Sequence, residues 1–164
     1  MRSAHVVVFL FLGGVPVSAA AEATAKGQDE GRCRIAAGIF TSEPREPCTS
    51  PVGICTVGKL RGTLRADYAF TMATLVPAGD PTVPNLFFYT GLSEIDLRRG
   101  SLVGTDTGSF DLDPLGEGRF VSLITITDGT DAWAGAKGTL QIRGRLDFGT
   151  GMARGDYFGR VCVP

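Results

Sequence analysis

Few side chains in this sequence have the types and spacing to do chemistry, and they narrow what that chemistry could be. Glu94 and Asp96 stand two residues apart, beside Phe88 and Leu92, in an alternating segment. Such spacing places both carboxylates on one face of a strand. If that face is interior, Glu94 is partly desolvated, its pKa is raised, and it can serve as a general acid. If it is exterior, both are solvated charges, and the face of Tyr89, Ile95 and Leu97 is the core. Buried acids are rare, which favours the exterior placement. Asp106, set between Gly104 and Gly108, admits the same argument. Tyr68 is the best polar handle on an apolar face and joins Glu94 as a candidate catalytic residue. Tyr68, Phe70, Met72, Phe88, Tyr89, Phe120 and Trp133 are candidates to line a ligand cavity, with plain core packing as the competing role.

The missing residue types exclude more than the present ones establish. The only histidine is His5, inside a stretch that reads as a secretory signal peptide: Arg2, the apolar run Val6–Leu12, then small residues around Ser18–Ala23. After its removal the chain has no histidine base, no Ser-His-Asp or Cys-His nucleophile and no imidazole metal ligand. Zinc is disfavoured because no C-x-x-C pair accompanies the four cysteines. Asp111-Leu112-Asp113 with Glu117 lacks the full spacing of a calcium loop. Arg154-Gly155-Asp156 spells an adhesion tripeptide, but it leads into an apolar strand as an ordinary turn would. No metal or cofactor is implied. A formal net charge of -1 with interspersed signs gives no electrostatic case for nucleic acid or anionic membranes.

The elements that must position these residues are strands. From Leu60 the even positions read Leu60, Gly62, Leu64, Ala66, Tyr68, Phe70 and Met72, against polar odd positions, which predicts one long, bent strand. Further strands are expected near Ile35–Thr41, Asn85–Leu97, Leu102–Leu112, Arg119–Thr127, the segment of Leu140, Ile142, Leu146 and Phe148, and Gly155–Val163. Turn residues separate them. Seven or eight strands suffice to close a small antiparallel barrel, with a β-sandwich as the competitor. Residues 1–23 are then the signal peptide, 24–32 a disordered lead-in, and 33–164 a single β-barrel domain. No later run is long and apolar enough to span a membrane as a helix. The cysteines Cys33, Cys48, Cys55 and Cys162 all follow the signal peptide and argue for disulfides in an oxidising compartment. Three connectivities are possible. Cys48–Cys55, closing the CTSPVGIC loop, with Cys33–Cys162, tying the domain's ends, is the favoured one.

The segment ITITDGTDAWAGAKGTLQIRG, Ile124–Gly144, joins two alternating strands through a glycine-rich corner carrying Trp133. It resembles the signature of the allene oxide cyclase-like barrels and their dirigent relatives, which carry a similar GGTG-aromatic-x-G-A-x-G run. The resemblance extends to the Gly58–Leu64 segment G-x-L-x-G-x-L, to Tyr89-Thr90-Gly91, to GSLVGTDTGSFD from Gly100 and to the closing GDYFGRVCVP. It points to a secreted bacterial branch and tips the fold toward an all-β, about eight-stranded barrel of allene oxide cyclase-like type. It also implies an apolar cavity and assembly of dimers or trimers through barrel exteriors. The plant cyclases carry a Tyr-Glu-Ile-Asn motif on the first barrel strand. The nearest match here, Tyr68-Ala69-Phe70-Thr71, lacks both the carboxylate and the amide, which argues against that particular cyclase reaction.

Two functions follow as expectations. The first is a secreted or periplasmic barrel that binds a small hydrophobic molecule in an apolar cavity. Such a barrel can direct cyclisation or isomerisation by cavity shape, which needs few ionisable groups. The second is a structural or interaction module whose barrel is filled by its own side chains. An interior cavity of roughly 300 Å³ or more separates them.

Overall fold

The computed structural model describes residues 32–112 and 117–164. The signal peptide, residues 24–31 of the lead-in and Asp113 of the calcium-like run lie outside the described residues. Eight strands form one closed antiparallel barrel in sequence order: β1 (Arg32–Pro44), β2 (Cys55–Gly62), β3 (Ala66–Pro77), β4 (Leu86–Leu97), β5 (Gly100–Leu112), β6 (Glu117–Gly129), β7 (Lys137–Asp147) and β8 (Ala153–Val163). β1 pairs with β8 from Arg32–Val163 to Ser42–Ala153, so no sheet edge is left open. Arg32 therefore belongs to the barrel rather than to the lead-in.

The expected long strand from Leu60 to Met72 is a hairpin instead. Gly62, at φ 140°, takes a backbone conformation open mainly to glycine, and the chain reverses over residues 63–65. Thr63 fixes the reversal, its amide donating to the Ala37 carbonyl at 3.0 Å while the Ala37 amide donates to its hydroxyl at 2.7 Å. The apolar alternation runs unbroken through the turn because Leu64 still points inward and plugs the barrel end. The buried Tyr157 hydroxyl pins that plug. It accepts from the Leu64 amide at 2.9 Å and donates to the Leu64 carbonyl at 3.0 Å.

The corner around Trp133 closes the same end. A short 3-10 turn, Asp131–Trp133, follows β6, and the Asp128 carboxylate accepts from the amides of Gly129 (2.7 Å) and Gly135 (3.2 Å). Those two backbone bonds hold Asp128 below the ordinary carboxylate range. Aliphatic side chains fill the barrel behind this corner: Leu60, Ile95, Leu102, Ile124, Leu140 and Val161 are all essentially inaccessible. Toward the opposite end the inward residues turn aromatic and polar.

Both disulfides of the favoured pairing form. Cys33–Cys162 joins β1 to β8 at directly opposed positions, and Cys48–Cys55 closes the loop leading into β2. With no free cysteine among the described residues, the chain has the bonding of a protein that matures in an oxidising environment. No helix among the described residues is long and apolar enough to cross a membrane.

Candidate functional site

Period-two geometry sorts the candidates into inside and outside. On β3, Ala66, Tyr68, Phe70 and Met72 are buried and point inward. On β4 the inward set is Tyr89, Gly91, Ser93 and Ile95, which turns Phe88, Leu92, Glu94 and Asp96 outward. Glu94 therefore sits on the solvent face, opposite Ala69 and Val103. Phe88 is likewise exterior and 48 % exposed. Trp133 packs half-buried against the aliphatic core at the closed end. Of the residues proposed from sequence, the structure brings together Tyr68, Phe70, Met72, Tyr89, Phe120 and Asp106, and leaves Glu94, Phe88 and Trp133 apart from them.

These six line a cavity of about 330 Å³ in the half of the barrel that faces the Cys48–Cys55 loop. Its mouth is bordered by Pro44, Arg45, Glu46, Ile54 and Gly151. Two chains of ring contacts form its walls. Tyr68 meets Phe40 edge-on at 5.2 Å, and Phe40 meets Phe120 at 6.1 Å. Phe70 meets Tyr89 at 5.7 Å, Tyr89 meets Phe110 at 6.0 Å, and Phe110 meets Phe148 at 6.3 Å. Glycines make room for them. A Cβ on Gly108 would lie 2.4 Å from the Tyr89 ring, and one on Gly91 2.4 Å from the Phe70 ring.

The cavity floor is polar. Asp106, on β5, is 1 % exposed, and its carboxylate gathers hydroxyls from three other strands. Ser93 on β4 donates to Oδ2 at 2.9 Å, Tyr68 on β3 lies 3.5 Å from the same oxygen, and Ser122 on β6 donates to Oδ1. Tyr68 and Ser93 also bond each other at 3.0 Å. Four consecutive strands thus each contribute one polar side chain to a single hydrogen-bonded cluster. Removal from water raises the Asp106 pKa, against the pull of the Ser122, Ser93 and Tyr68 hydroxyls. Burial, and then the Asp106 charge, push Tyr68 and Tyr89 well up, so both phenols remain protonated at neutral pH.

Asp106 was legible as a candidate carboxylate. Ser93 and Ser122 were not singled out, although each is the lone serine on an inward face otherwise made of Tyr89, Gly91 and Ile95, or of Phe120, Ile124 and Ile126. Position 69, where the resembling motif carries its carboxylate, is on the opposite face of β3 from Tyr68. The Arg154-Gly155-Asp156 tripeptide lies within regular β8, paired with Arg145, Gly144 and Arg143 of β7, and forms no protruding loop. Compared with protein-family models, with curated proteins and with solved structures, the chain matches none.

Proposed function

We propose that this protein is a binding barrel for a small, largely apolar molecule, exported to the cell exterior or the periplasm. The observation that carries this reading is the aromatic cavity with a polar floor, about 330 Å³ in size and at the small end of the ~300–1,000 Å³ typical of ligand pockets. A barrel of eight strands is narrow enough to be filled by its own side chains. Here Gly91 and Gly108 give up their space to the Phe70 and Tyr89 rings, and Asp106 and Ser122 stand among the lining residues in place of the aliphatic side chains that fill the other end. The resemblance to the allene oxide cyclase-like barrels supports the same reading. Where the bound molecule reacts, cyclisation or isomerisation by restriction of its conformers suits walls without a nucleophile.

Ile35, Ile39 and Phe158 favour an additional interaction role. They are 54–67 % exposed on the outer faces of the paired strands β1 and β8, a position suited to self-association into dimers or trimers.

Native mass spectrometry of the protein, purified from its own host without organic solvent, tests the reading. A co-purifying small molecule is the expected result. A bare protein at its disulfide-bonded mass that also refuses hydrophobic probes would instead assign it a structural or interaction role.

A further inference from the structure

The polar floor limits what the bound molecule can be. Around Asp106 the hydroxyl protons are already committed: Ser93 and Ser122 donate to the carboxylate. Tyr68 donates to the same carboxylate or to Ser93, and Tyr89 is directed at the Val121 carbonyl at 3.4 Å. What these groups have left to offer a ligand is acceptor capacity: the free lone pairs of the hydroxyl oxygens and of the carboxylate. Asp106 has only hydroxyl partners among the described residues, with no lysine or arginine beside it. A buried carboxylate without a cation is a costly arrangement, and a ligand can relieve it by bringing one. The rings of Phe40, Phe70, Tyr89, Phe110, Phe120 and Phe148 supply the rest, since aromatic faces attract cations and aromatic walls accept an apolar body. Arg45 and Glu46 at the mouth are of opposite sign, so the entrance favours neither charge.

The geometry points to a compact amine as the ligand, its ammonium seated on Asp106 and the surrounding hydroxyl oxygens, its apolar portion held within the aromatic walls. This inference rests on the binding-barrel reading and narrows it to one class of molecule. A ligand carboxylate or ketone meets no uncommitted donor around Asp106, the Ser42 hydroxyl, unpaired among the described residues, lying apart from that cluster on β1, and a hydrocarbon leaves Asp106 uncompensated.

Isothermal titration calorimetry of the purified protein with phenylbutylamine, phenylbutanol and phenylbutyrate separates the cases. The amine is expected to bind about tenfold or more tighter than the alcohol, with the acid weakest. Asp106→Asn is expected to bring the amine down to the level of the alcohol, and a cooperative urea transition shows that the variant is folded. Alcohol or acid binding equal to or tighter than the amine overturns the amine assignment and leaves the cavity reading standing. So does an amine preference that survives in Asp106→Asn. Binding of none of the three overturns the cavity reading itself. Should Asp106→Asn fail to fold, the wild-type ratio of amine to alcohol decides alone.

Discussion

Asp106 makes the barrel's stability depend on pH in a direction that can be worked out beforehand. Burial raises its pKa, so the native state holds the proton more tightly than the unfolded chain does. The stabilisation from protonation is complete below the unfolded value of about 3.9 and is lost as pH rises through the higher native value. Each pH unit separating the two values is worth about 1.4 kcal/mol. Asp106→Asn keeps the shape but cannot titrate. At neutral pH it exchanges charge-assisted bonds from Ser93, Ser122 and Tyr68 for neutral ones and sheds the cost of a buried charge, so it should lie within about 1 kcal/mol of wild type. Asp106→Ala has no such compensation. It leaves the Ser122 hydroxyl without its acceptor while Tyr68 and Ser93 still satisfy each other, a loss of about 1–3 kcal/mol before any effect of the void. Urea unfolding of the three proteins between pH 8 and pH 4 is the assay, read as the difference between wild type and Asp106→Asn, which cancels the other carboxylates. That difference should move in favour of wild type as the pH falls. Parallel wild-type and Asn profiles over the whole range would refute the burial argument.

Tyr157→Phe strips both partners from the buried Leu64 amide and carbonyl and should cost about 2–4 kcal/mol in urea unfolding, with faster amide exchange at Leu64; a loss under about 0.5 kcal/mol would mean that other groups pin the plug. Cys33→Ser with Cys162→Ser removes a link spanning 129 residues, worth about 4–5 kcal/mol in the chain-entropy model, and should destabilise more than Cys48→Ser with Cys55→Ser, whose bridge spans 7. Thermal unfolding of the two double variants gives the order directly. Glu94→Gln and Phe88→Ala, both on the outer face, should leave stability within about 0.5 kcal/mol and amine binding unchanged in calorimetry; a loss of binding in either would place the ligand outside the barrel. Replacing the whole cluster at once (Tyr68→Phe, Ser93→Ala, Asp106→Leu, Ser122→Ala) should cost less in urea unfolding than the four single changes summed, because no hydroxyl is left without a partner.

The strands were readable because a barrel with one wet face and one dry face writes period two into every segment. The inward set of β3, from Ala66 to Met72, and that of β7, Leu140 and Ile142, follow from alternation alone. The β2–β3 reversal was not readable, because Leu64 continues the apolar phase through the turn and only the backbone angle at Gly62 marks it. The site was legible in pieces. Alternation assigned Tyr68, Phe70 and Met72 to one face, but which face of β4 looked inward turned on the choice between Glu94 and Tyr89. The packing of the Tyr89 ring over Gly108 makes that choice. Ser93 and Ser122 gain meaning only from the register, which pairs them with Gly104 and Gly108 on either side of Asp106 and so sets each diagonal to its carboxylate. Single-strand patterns carry no information about the relative height of neighbouring strands.

The polar floor is also evidence of a different kind from the walls. Aromatic rings in a barrel need no reason beyond burial, since each one removed from water stabilises the fold. A buried carboxylate and two serines do the opposite: apolar residues of similar volume in their place are commonly neutral or stabilising. The closed end shows that this chain can build such a core, with Leu60, Ile95, Leu102, Ile124 and Leu140 packed beyond the reach of solvent. Asp106, Ser122 and Tyr68 line the cavity, and Ser93 bonds Asp106 from behind, where aliphatic filling stops. Folding alone does not call for a hydroxyl-ringed carboxylate there, whereas the proposed capture of a donor-bearing molecule accounts for it.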